Sequence, residues 1–111
     1  MKKFNYRDVE PESLEEGKGV KRRWLITRET GAENFFMRLY EVEPGGFTPL
    51  HSHPWEHEVF ILEGEGVAVG GSEEYKLREG DVLFIPGGEP HQLRNESDKV
   101  LKFLCLIPAV G

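Results

Sequence analysis

Apolar and polar residues alternate along this chain in short runs, and Gly or Pro cuts each run off. Such period-two stretches, bounded by turn residues, predict β-strands. They fall at Val20 to Ile26, Phe35 to Glu43, Val59 to Glu63, Gly66 to Val69, Glu73 to Arg78, Val82 to Ile85, His91 to Arg94 and Val100 to Ile107. Turns are expected at Glu43-Pro44-Gly45-Gly46, Glu63-Gly64-Glu65-Gly66, Gly70-Gly71, Glu79-Gly80-Asp81 and Pro86-Gly87-Gly88. Only Pro11 to Gly17 offers a helical turn. The pattern predicts an all-β fold, a sandwich or a barrel. Residues 1–30 precede the dense strand pattern and should form an arm and an outer strand. Alternation puts Phe36, Arg38, Tyr40 and Val42 on one face. With Lys102 in solvent, Leu101, Phe103, Cys105 and Ile107 point inward.

The 111 residues match the size of one domain, 1–111, with one core. A net charge of -6 gives no electrostatic reason to bind nucleic acid. The one basic cluster, Lys21-Arg22-Arg23, reads as a solvated edge or one face of a strand. No run approaches the ~18 apolar residues of a membrane span. No apolar segment follows Lys2-Lys3 to make a secretion signal. Cys105 is the single cysteine, so no internal disulfide can form. A cytoplasmic location is therefore expected.

Histidine brings in the chemistry. The chain has 4, and three stand in Leu50-His51-Ser52-His53-Pro54-Trp55-Glu56-His57. On a strand His51 and His53 face one way. Pro54 interrupts the ladder, and His57 can return a third imidazole. His91 opens a later strand. A lone His-x-His is often an exposed strand, and the spacing leaves that alternative standing. Four rings converging inside a small barrel would be costly without a metal to take their lone pairs. Gly45, Gly64, Gly80 and Gly88 read as positive-φ corners, and Asn95 as a turn hydrogen-bonder.

The stretch from Gly45 to Asn95 resembles both motifs of the cupin superfamily. Gly45, His51, His53 and Gly64 fall in register with the first motif, over 45–64. Gly80, Pro86, Gly88, His91 and Asn95 match the second, over 80–95. The resemblance implies a double-stranded β-helix, a jelly-roll-like barrel with a metal in its mouth. One departure matters: the family's Glu position is His57, and alternation turns Glu58 to the opposite face. The wording around it is similar to small single-domain manganese-binding cupins with four histidine ligands. The resemblance thus implies His51, His53, His57 and His91 on one divalent transition metal, manganese first. Ligand softness alone suits iron, nickel, copper or zinc better.

Arg38, Trp55, Phe103 and Cys105 are candidate pocket residues. A buried Arg38 would bind a substrate carboxylate, whereas an exposed one would pair with surface acids. With every histidine a ligand, no side chain stands out as a general base. That favours a metal-dependent oxidoreductase of dioxygenase type acting on a small organic molecule. The alternatives are a non-catalytic binding or sensor cupin, and a metal-dependent isomerase of a sugar or keto acid. Trp24 and Ile26 would be exposed on a monomer, which predicts a homodimer through that strand.

Overall fold

A computed structural model describes residues 1–110. Nine strands make up nearly all of the regular structure: β1 (Glu12–Ser13), β2 (Lys18–Ile26), β3 (Phe35–Phe47), β4 (His57–Glu63), β5 (Glu65–Gly70), β6 (Glu73–Arg78), β7 (Val82–Ile85), β8 (His91–Arg94) and β9 (Leu101–Pro108). They form one curled antiparallel sheet in the order β6-β5-β8-β3-β9-β4-β7, with β2 on β3 and β1 on β2. This is the all-β architecture that the pattern predicts, in the jelly-roll-like barrel form that the motif resemblance implies.

The segment Pro11 to Gly17 is not helical. Glu12 and Ser13 pair with Arg22 and Lys21, so their backbone groups go to a ladder with β2. Among the described residues the one helix is a 3-10 turn at Tyr6–Asp8, capped by Asn5. Nor does the chain turn back at Glu43-Pro44-Gly45-Gly46. Strand β3 runs on through it. It leaves β9 after Val42 and meets β8 at Phe47. Gly45 makes the bend possible with φ 79°, a value that L side chains rarely adopt. The same kink shifts the register with β2, from Val20 opposite Val42 to Lys18 opposite Phe47.

The register aligns inward-facing side chains in rows across the sheet. The row at the open end holds Phe36 across from Ile107 and His57 across from Ile85. The next runs Trp24, Arg38, Cys105, Val59, and a third runs Arg22, Tyr40, Phe103, Ile61. The core fills the far end of the barrel, where Val42, Ile61 and Leu101 are fully buried. The end with the histidines stays open.

The first residues wrap around β2. Tyr6 lies on the outer face, with Arg23 and Lys102 over its ring. After β1 the chain brings Leu14 to the barrel mouth, where Val110 also arrives. Among the described residues no helix is long and apolar enough to cross a membrane.

Candidate metal centre and cavity

The two histidine segments dock on each other. His51 and His91 form an isolated antiparallel bridge, His91 N–H to His51 O at 3.1 Å and His51 N–H to His91 O at 3.3 Å. His51 and His53 therefore lie on an extended segment held by one bridge, not on a full strand. Gly88 N–H donates to His53 O at 2.6 Å. A Cβ at Gly87 would overlap the Pro54 carbonyl oxygen, so this close approach needs a glycine. Upstream, Thr48 clamps the same segment to β8, its Oγ1 accepting Leu93 N–H at 2.9 Å.

These contacts bring one ring nitrogen each of His51, His53 and His91 within 4.8 Å of one another. Two imidazoles bound at ~2.1 Å to one ion keep their nitrogens within ~4.2 Å. Ligation is thus a small side-chain adjustment away. His91 Nδ1 lies 2.9 Å from Glu89 O. Donating there leaves Nε2 with its lone pair free, the usual arrangement for a metal-binding imidazole. His57 arrives separately, at the first residue of β4. It is 5% exposed, and its ring centroid lies 4.8 Å from that of His91 and 5.3 Å from that of His53. Its Nδ1 is buried with no hydrogen-bond partner. Buried polar atoms are rarely left so, yet His57 is not among the residues whose ligand atoms lie within 4.8 Å of one another. Glu58 is exposed on the outer face, across from Phe84.

Electrostatics favour the neutral form of His51, His53 and His57. Burial, then the neighbouring His91 and Arg38, push the His57 pKa down from 6.5 to about 3. Burial also lowers His51, with His91 adding to it. Burial again leads for His53, followed by His51, His91 and Arg38. Neutral imidazole is the form that binds a metal.

The rings line one end of a cavity of about 280 Å³. All four pocket candidates, Arg38, Trp55, Phe103 and Cys105, line it too. Trp55 stacks on His53, with ring centroids 4.7 Å apart. Arg38 is 6% exposed, which excludes the surface ion pair. Its Nη1 donates to Tyr40 Oη at 2.7 Å and its Nη2 to Cys105 Sγ at 3.0 Å. Burial raises the Cys105 pKa, against an opposing pull from Arg38, so this thiol is a poor nucleophile at neutral pH.

Two further wall residues come from β2. Arg22 lies on one face of that strand, opposite Tyr40 in the third inward row. Trp24 lies opposite Arg38 and lines the cavity mouth, though 36% of it remains exposed. The alternation Arg22-Arg23-Trp24 carried the signal: Arg23 goes outward to Glu41, so its two neighbours must go in.

A curled β-barrel with a cluster of histidines at its mouth defines a class of small-molecule and metal-binding proteins. The chain belongs to the cupin family: residues 38–107 match the Cupin domain. An oxalate-binding protein of Thermotoga maritima is 33% identical over 107 residues, covering 90% of this chain and 88% of that protein. A 1-methylthio-D-xylulose 5-phosphate methylsulfurylase of Rhodospirillum rubrum is 40% identical over 73 residues, covering 66% of this chain and 47% of that protein. The structure of the polyketide cyclase RemF of Streptomyces resistomycificus superposes with a TM-score of 0.92 at 35% identity, covering 99% of this chain and 80% of that one.

Proposed function

We propose that the protein is a metal-dependent enzyme acting on a small organic molecule, with oxygen-linked chemistry of dioxygenase type. His51, His53, His57 and His91 would hold one divalent transition metal. The observation that carries this is the cluster itself, three ring nitrogens drawn together beside a fourth ring whose buried Nδ1 has no partner. Manganese ranks first on the motif resemblance, followed by iron; nickel and zinc also suit imidazole donors. A bound ion with four protein ligands would offer open positions to substrate and oxygen.

The protein's own residues do the rest. Tyr40 and Cys105 fix the Arg38 guanidinium, Trp55 stacks on His53, and Phe103 closes the floor. No Asp or Glu lines the cavity, so no carboxylate stands ready as general acid or base. This favours metal-centred chemistry over an isomerase. The name of the Thermotoga relative supports a second reading, a non-catalytic binding protein.

Elemental analysis of protein purified without added metal should find one equivalent of a first-row divalent ion. Oxygen consumption should then follow addition of one or more members of a panel of small acids and phenols. Turnover without oxygen uptake would move the reading to an isomerase. Binding without turnover would move it to the binding protein. Protein that stays free of metal in all preparations would end it.

A further inference from the structure

The chain carries 20 acidic against 14 basic residues, yet no carboxylate lines the cavity and two arginines do. Their situations differ. Arg22 already has its anion: Glu12 Oε1 accepts from its Nε at 2.6 Å and lies 2.6 Å from Nη2. The same oxygen accepts from Trp24 Nε1 at 3.0 Å. Arg38 has none. Among the described residues no carboxylate pairs with it. Its only acceptors are a phenol and a thiol, and its buried Nε–H has no partner. The guanidinium packs on the faces of Trp24 and Tyr40, 5.4 and 5.2 Å from their centroids. A buried cation held this way is costly until an anion meets it.

The surroundings define the rest of that anion. Arg38 lies two strands from His57 and one inward row along the sheet. The apolar residues of the two rows that hold them include Phe36, Ile107 and Val59. A second charge placed there would be buried among apolar side chains with no partner. The cavity volume of about 280 Å³ sits at the low end of small-molecule sites, which run ~300–1,000 Å³. It therefore admits a compact ligand with a body of several carbons.

We propose that the ligand is a monoanionic organic acid with an apolar body. Its acid group sits on Arg38, its body lies across Phe36, Val59 and Ile107, and its other end points at the histidines. A two-carbon diacid such as oxalate is a poor match, because it leaves the apolar floor unfilled and, with one carboxylate on Arg38, places the second charge among apolar side chains. The inference rests on the reading of this cavity as the substrate site.

Calorimetric titration of the protein as purified, with phenylacetate, its neutral amide and oxalate, tests it. Phenylacetate should bind about tenfold or more tighter than the amide, the scale of a charge-assisted hydrogen bond. It should also bind tighter than oxalate. In Arg38→Leu the preference for acid over amide should vanish, and Arg38→Lys should restore part of it, with melting curves reporting that both variants fold. The comparison on the parent protein needs no variant, so a misfolded Arg38→Leu does not shield the proposal. Equal binding of acid and amide, tighter binding of oxalate, no binding of any of the three, or an acid preference that survives in a folded Arg38→Leu overturns it. The metal content of the same sample separates this proposal from the enzyme reading. Acid selectivity in protein that stays free of metal in all preparations removes the enzyme reading and leaves the ligand class. Metal without acid selectivity does the reverse.

Discussion

His57 occupies the first position of β4, where the ladder with β7 begins opposite Ile85. Its proton equilibrium links the site to stability. An unfolded imidazole takes a proton near 6.5, whereas burial holds the folded one neutral down to about 3. Between those values the unfolded chain binds more protons, so stability falls as pH drops and is unaffected above the upper one. The melting temperature of chelator-treated protein should therefore stay level above about pH 7 and decline below it. His57→Phe, which keeps a flat ring and cannot titrate, should make that decline shallower. A bound ion would add stability above the unfolded value and lose it in acid. Chelator should then lower the melting temperature at pH 8 and leave it unchanged at pH 4. Equal chelator effects at the two pH values would contradict metal ligation by these histidines.

At the scale of elements, the site depends on how the loop before β4 meets the loop before β8. The His51–His91 bridge, the Gly88–His53 hydrogen bond and the contact of Gly87 with Pro54 fasten one to the other. Gly87 does not need a positive φ; it needs the absence of a Cβ. In Gly87→Ala the two loops must separate slightly, moving His53 relative to His91. We expect metal content to drop several-fold while stability falls by only ~1–3 kcal/mol, the usual cost of overpacking. Elemental analysis and urea denaturation measure the two, and unchanged metal content would show that the loops do not set the ligand geometry. Asn95 has a comparable duty at the other end of the barrel. Its Nδ2 donates to Val42 O at 2.9 Å and Lys99 O at 2.7 Å, and its Oδ1 accepts from Ser97 N–H at 3.0 Å. Sequence spacing had marked it as a turn residue, and the structure gives it that part.

On the whole molecule, Trp24 is exposed as the strand pattern expects while it also lines the cavity mouth, and Ile26 is partly exposed. The outer face of β4 and β7 presents a larger apolar set, Phe60, Leu62, Val82 and Phe84, 38–75% exposed. Phe60 lies directly across from Val82, and β7 ends the sheet with a free edge. Apolar side chains beside an unpaired strand edge favour association, and a second copy related by a two-fold axis can pair such a face with itself. The expected homodimer should therefore form through β4 and β7. Light scattering should report a dimer at micromolar concentration, and Phe84→Glu with Val82→Lys should give a monomer. A dimer that survives the double substitution would return the interface to β2.

The sequence by itself determined most of the strands, the positive φ of Gly45, Gly64, Gly80 and Gly88, and the identity of the histidines. These follow from local rules: two-residue alternation, the conformational freedom of glycine, and a ligand spacing short enough to read along the chain. Val82–Ile85, Glu73–Arg78 and His91–Arg94 have the bounds the pattern predicts. The tertiary structure alone decided which face of each strand is the inside and what meets across it. Alternation grouped Arg38 with Phe36 and Tyr40 but could not choose between barrel interior and solvent; the pairing of β3 with β9, opposite Cys105, made that choice. Glu12 belongs to Arg22 and not to Arg38 because β1 folds back onto β2, a long-range register with no mark in the local sequence. The unmet charge in the cavity is likewise a sum over residues from the arm, β3 and β9, and only folding brings those groups to one place.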